Sequence, residues 1–538
     1  MFRKSALSCA VLALTLGLAA CGGNDDNTSV AVGDTVALTV TGRLISFNRV
    51  TPGTLVGDIN VTGLASGETL LGIDVRPATN TLYGLGSAGG IYTIEPSTGV
   101  ATRITGLVNA AANAVAFTAL SGTSFGVDFN PAADRLRVIS NTGQNLRINV
   151  TTGETFNDLP ISPAVASVSA SGYTNAFPGA ASTRLFNLNL TTNTVDLQDP
   201  PNNGTLVTGP TLGVTATAVN GFDIDARDNT GYAALTVGST TSLYRINLTA
   251  AANAATLVAA IGGGEQIRGL ALMQPLTVAG LTNDNRIVTF NPRTPNTLAS
   301  NVAITGLNTG ENILGMDVRP ADGLLWALSS TGRLFTLNAS TGAATFVASL
   351  FADPADVTAP TFTALDGSTA LSVDFNPVPD RMRVITPAGQ NLRINMLTGA
   401  TNADLPINRA SAAPTVLAAA YTNNFPGVTT TTLYNLEGNT DILTLQNPPN
   451  DGTLTNVGTG LVAGLDLSTF AGLDIAGGDN GLVLAALRSG TTGPLSLYSV
   501  NLTTGAAALY FNTSGNTALS QIGGATGPVL RDIAILRN

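Results

Sequence analysis

The sequence predicts an all-β protein built of propeller blades, and three observations carry that prediction. Its polarity comes from turn formers: 59 glycines sit in a chain that is 44% apolar but only 11% charged, against roughly 25% charged in an ordinary soluble domain. Short apolar runs recur between Gly, Asn, Asp, Ser and Pro clusters, as strands between turns do. And nearly the whole chain is written twice. At 538 residues it is too long for one ordinary core.

The duplication is plain in two blocks. LLGIDVRPATNTLYGLGSAGGIYTIEPSTG from Leu70 matches ILGMDVRPADGLLWALSSTGRLFTLNASTG from Ile313. DFNPAADRLRVISNTGQNLRINVTTG from Asp128 matches DFNPVPDRMRVITPAGQNLRINMLTG from Asp374, with 18 of 26 positions identical. The offset grows from 243 at Asp74/Asp317 to 254 at Tyr244/Tyr498, so length changes fall between the matched blocks, where surface loops tolerate them.

Within each copy a shorter unit recurs. Leu71 to Arg76, Leu82 to Leu85, Ile91 to Ile94 and Ala101 to Ile104 read as four strands separated by turn residues, the pattern of one blade. Five such units begin near Val36, Leu70, Phe125, Val168 and Asn220, and five more near Leu276, Ile313, Leu371, Leu417 and Phe470. The first unit of each copy has one strand too few. Ile267 to Met273 and Leu530 to Leu536 could supply it. Closure can then go two ways: two five-bladed propellers (34–274 and 275–538), or one ten-bladed ring, which the short Gln274-Pro275 link would suit.

The N-terminus reads as a lipoprotein signal over residues 1–20. Arg3 and Lys4 precede an apolar run from Ala6 to Ala20 that is shorter than the roughly 20 residues a spanning helix needs. Leu18-Ala19-Ala20-Cys21 resembles the bacterial lipobox, so Cys21 is expected to be lipidated and residues 21–33 to form a tether. The expected location is the cell envelope, at the outer membrane. Cys9 would leave with the signal, so no disulfide is expected.

Composition excludes whole classes of chemistry. There is no histidine, which removes Ser-His-Asp and Cys-His catalysis and imidazole metal sites. Cleavage after Ala20 would take two of the 24 basic residues and move the net charge from −10 to −12, the wrong sign for a nucleic-acid partner. No cofactor and no metal site is expected. Gly122 to Gly126 fits G-x-S-x-G only formally, because nothing would activate Ser124. The acids from Asp223 to Asp228 lack an EF-hand's spacing and read, with Asn229 and Gly231, as a hairpin turn.

The candidate binding residues are Asp128, Asp134, Arg135, Arg137 and Arg147, repeated as Asp374, Asp380, Arg381, Arg383 and Arg393. Arginines in such a cluster either pair with the nearby carboxylates between blades or bind an anionic ligand. Glu68 and Glu311, with Asp74 and Asp317 six residues on, are the matched acids that a glycan hydrolase would use.

The motif DFNPxxDRxRV…GQNLRIN…TG, followed by Tyr173-Thr174-Asn175 and by Gln198 to Leu206, resembles a bacterial family, domain of unknown function 4394. Asp374 to Gly399, Tyr421-Thr422-Asn423 and Gln446 to Leu454 repeat it. The resemblance implies two secreted propeller-like domains and brings no catalytic residue with it. The functional expectation is a monomeric, envelope-anchored scaffold that binds a protein, peptide or glycan without catalysis. A glycan-active hydrolase or lyase, or a purely structural envelope protein, are the alternatives.

Overall fold

A computed structural model describes residues 29–536, apart from 165, 178–179, 181, 274–275, 410–412, 463–464, 466, 468–469, 478–480, 489–492 and 511–515. The signal, Cys21, the start of the tether and the Gln274-Pro275 link lie outside the described residues. No helix among the described residues is long and apolar enough to cross a membrane.

Among the described residues the strands form ten sheets, antiparallel except for one short parallel outer pairing in each repeat, taken as blades 1 to 5 in the first repeat and 6 to 10 in the second. Blade 2 is typical: Leu70–Arg76, Thr81–Gly86, Gly90–Ile94 and Ala101–Gly106 follow one another from the inside out. Burial grades with position. Strands facing blades on both sides are buried along their length, as Leu325–Ser329 and Leu482–Leu487 are. The outermost strand Leu298–Ala303 alternates between half-buried and exposed, because only one of its faces packs.

Pairing at the ends decides the closure. Thr35–Thr39 pairs with Ile267–Leu272, and Thr277–Thr282 pairs with Leu530–Leu536. Each repeat therefore seals its own first blade with its own last strand, and the fold is two five-bladed propellers. The ten-bladed ring required Ile267–Leu272 to form a hairpin with Thr277–Thr282. It does not, because the edge it would use is already taken by Thr35–Thr39.

Five blades leave a narrow axis. A side chain at Gly72 would put its Cβ 2.5 Å from a methyl of Val127, and at Gly315 2.4 Å from Val373, so innermost strands of adjacent blades touch through glycine. The propellers also meet. Phe177, fully buried, and Ala226 of the first repeat pack into the apolar cluster of Leu482, Leu484, Phe290 and Ile535 in the second. Its counterpart Phe425 is only half-buried.

Candidate functional site

The structure separates the arginines and acids that sequence grouped together. Arg135 and Arg381 remain half-exposed, and each guanidinium donates to the backbone carbonyls of the preceding turn: Ala133 and Asp134, and Pro379 and Asp380. They do not pair with a buried carboxylate: Arg135 shares a face with Arg137 but stands at the open start of its strand beside the turn, two residues short of the acceptors that Arg137 reaches. Asp134 and Asp380 sit in the turn with φ of 51° and 52°, a conformation Asp tolerates. There they hold Arg76 and Arg319 from the preceding blade.

Arg137, 1% exposed, is a hub between blades 3 and 4. Its Nε donates to the Tyr173 hydroxyl at 3.2 Å, one terminal nitrogen to Asn145 at 2.8 Å and Asp158 at 2.7 Å, and the other to Asn202 at 2.7 Å. Arg147 grips the same Asp158 bidentately at 2.6 and 2.9 Å, which raises the guanidinium's pKa. Arg383 repeats the hub with Tyr421, Asn391, Asp404 and Asn450, and Arg393 repeats the bidentate pair. The hub collects the sequence motif: DRxRV gives the arginine, GQNLRIN gives Asn145 and Arg147, Tyr-Thr-Asn gives the tyrosine, and Pro-Pro-Asn gives Asn202.

Asp158 and Asp404 were missed by sequence reasoning. The signal was available, since Asp-Leu-Pro-Ile recurs at Asp158 and Asp404.

Asp128, cross-strand from Arg137 on the same face of the sheet, lies one strand further in, at the axis. Asp74, Asp128 and Asp223, all buried on innermost strands, bring carboxylate oxygens within 4.8 Å of one another. Asp317, Asp374 and Asp474 do the same in the second propeller. The partners are backbone amides, most of them on the next blade. Asp74 accepts from Val75 and Phe129, Asp128 from Tyr173, and Asp223 from Ile224 and Leu272. Burial, with the neighbouring carboxylates, pushes Asp74, Asp128, Asp317 and Asp374 well above the usual carboxylate range. Asp223 is pushed up to about 7, chiefly by burial. The spacing is one a cation could bridge, but acids alone do not define a metal site. A small recess next to the first triad is lined by Gly72, Gly126, Ser171, Gly221 and Gly269 among others.

Asp225 has the opposite environment. Burial opposes its charge, yet Arg227 and Arg49, at 2.9 and 2.5 Å, outweigh it and hold the carboxyl below its usual range. Glu68 is also engaged internally: it accepts the amides of Ala88 and Gly90 and the Tyr92 hydroxyl. Glu311 accepts from the Ser329 hydroxyl at 2.5 Å, the Thr331 hydroxyl and Arg333.

Ten four- to five-stranded sheets, closed in fives, define a tandem β-propeller protein whose motif residues staple blade to blade. The chain belongs to the family described as Domain of unknown function (DUF4394), whose model matches residues 43–271 and 286–523. No curated protein matches it. Among solved structures, the Dos1 propeller is 14% identical, with 67% of this chain and 90% of that one covered at a TM-score of 0.25. A protein from Lactobacillus plantarum is 14% identical over 66% and 95%, with a TM-score of 0.25. The computationally designed Ika8 protein is 12% identical over 74% and 98%, with a TM-score of 0.21.

Proposed function

We propose that the chain is a lipid-anchored envelope protein whose two propellers hold binding loops toward a protein, peptide or glycan, without catalysis. One observation carries the reading: both repeats hold a long exposed connection in a fixed shape at the same place. In the first repeat it runs from blade 2 to blade 3. Its base, Val108–Asn109, pairs in parallel with the outer strand Glu154–Asn157. Gln144 then ties down its far side, donating to Ala119 at 2.9 Å and accepting from Ser121 at 3.0 Å. In the second repeat Phe351–Ala352 pairs with Ala400–Ala403, and Gln390 donates to Ala364.

Between those ties the loops are open to solvent, with Val115 68% and Val357 87% exposed. A loop already ordered loses less entropy on binding, so the ties favour recognition. The arginines and acids that an enzyme would need are engaged inside and between blades, which favours a scaffold over a glycan-active enzyme.

The test uses the soluble chain from residue 29 on glycan and peptide arrays, with polysaccharide turnover followed in parallel. Retention of a ligand, lost when residues 111–118 and 354–361 are replaced by Gly-Ser, is the expected result. Turnover, or retention indifferent to both loops, overturns the reading.

A further inference from the structure

We propose that each propeller holds shared protons on its axial aspartates at neutral pH, so that the fold is acid-favoured and the C-terminal propeller is the half that loosens first as pH rises. The geometry carries this. Three buried carboxylates whose oxygens lie within 4.8 Å of one another cannot all ionise unless a cation compensates them. Backbone amides are their hydrogen-bond donors in the first propeller.

The charged groups on the surrounding strands are directed elsewhere. Arg137, opposite Asp128 in register, sends its guanidinium to Asp158. Arg268 on the closing strand donates to the carbonyls of Leu70 and Val40. Arg49 is held by Asp225 and Asp34, and so lowers Asp223 only weakly against burial. Tyr83 and Tyr232 lie opposite Asp74 and Asp223 in register. In the second propeller Arg383 goes to Asp404, and Arg531 to the carbonyls of Ile313 and Asn283.

The second closing strand adds one acid to its axis. Gly269 on the first closing strand is replaced by Asp532 on the second. A Cβ at Gly269 would come 3.2 Å from the Ile73 amide. Asp532 fills the matching place, accepts the amides of Met316 and Ile533, and is itself raised well above its usual range by burial. The second axis thus carries a fourth buried acid.

The sign follows from proton counting. An aspartate raised in the folded state binds protons that the unfolded chain releases above about pH 4. The axial acids' contribution to stability is therefore full below that pH and falls as pH climbs through about 7, where Asp223 is placed. Each proton held makes the folding constant fall about tenfold per pH unit across that window.

The experiment follows denaturant unfolding of the soluble chain from pH 5 to pH 8, with and without EDTA, beside the infrared band of protonated carboxyl groups. Asp128→Asn and Asp374→Asn provide an uncharged side chain of the same shape. Expected are a midpoint that falls with pH whether or not EDTA is present, two transitions at pH 8 with the C-terminal half first, and a carboxyl band at pH 7 that shrinks in the double variant. That variant's pH slope is shallower. A midpoint that drops on adding EDTA, a flat wild-type profile, or a missing carboxyl band would each overturn the proposal.

Discussion

Asp128 and Arg137 face each other across one strand pair and together clamp a single residue of the next blade: Asp128 takes the Tyr173 amide at 3.0 Å and Arg137 the Tyr173 hydroxyl at 3.2 Å. Asp374 and Arg383 hold Tyr421 in the same way, at 3.1 and 3.2 Å. The two charges do not neutralise each other. Asp128 stands on the innermost strand and Arg137 one strand out, directed to Asp158, and the tyrosine spans both.

The clamp predicts a sharp contrast between neighbouring arginines. Arg137→Ala takes the donor from the Asn145 and Asn202 side-chain oxygens and leaves Asp158 to Arg147 alone, and is expected to cost about 1–3 kcal/mol, the scale for buried polar groups left unsatisfied. Arg135→Ala removes a half-exposed side chain bonded to nearby carbonyls and should stay within about 0.5 kcal/mol of wild type. Denaturant midpoints of the two variants check this; equal losses would contradict the hub.

Asp225→Asn is expected to destabilise the first propeller at pH 6 by about 3–5 kcal/mol, because Arg49 and Arg227 would remain buried beside an uncharged amide. The wild-type contribution is present above about pH 4 and disappears as pH falls through the lowered carboxyl, opposite in sign to the axial acids. If the variant melts like wild type at pH 6, the triad of charges contributes nothing.

Self-closure predicts that residues 29–273 fold alone. With Thr35–Thr39 already paired to Ile267–Leu272, the fragment presents no unpaired inner edge. It does uncover Phe177 and Ala226, so Phe177→Ser should improve its solubility without lowering its melting temperature. A cooperative melt by circular dichroism and a monomeric mass by light scattering are the expected results. Aggregation of the Phe177→Ser fragment would argue against independent closure.

The anchor has its own test. On the proposed lipid anchoring, Cys21→Ser is expected to move the protein from the membrane to the soluble fraction. Retention after a high-salt wash would rule out lipidation as the attachment.

The blades were legible because each strand carries its own signal: short apolar runs such as Leu82 to Leu85 end in Gly-Gly or Ser-Thr-Gly turns. Closure was less so. Ile267 to Met273 fits beside either Val36 or Leu276, and the choice depends on which edge is free in space, which no local pattern states. Arg137 stood out through its repeated motif, but its acceptors come from separate segments and converge only once blades 3 and 4 stack. The axial acids were hidden for a related reason. Asp74, Asp128 and Asp223 each sit in an unremarkable inner strand, and Asp128 looked like a partner for the arginines beside it. Only five-fold packing brings three such strands to one line.

The pairing of first strand with last has a consequence for the order in which the protein is made. As the chain emerges N-terminus first, blade 1 waits for the entire first repeat before its inner strand, Ile267–Leu272, exists. Blade 6 likewise waits for Leu530–Leu536, at the end of the chain. Such long-range closure is slow to form, and it makes the final strand as necessary as any core segment. A product cut short before Leu530 would lose more than a tail: Thr277–Thr282 would be left as an open edge, and the second propeller would remain an arc of four blades and a three-stranded fifth, ready to pair with another chain.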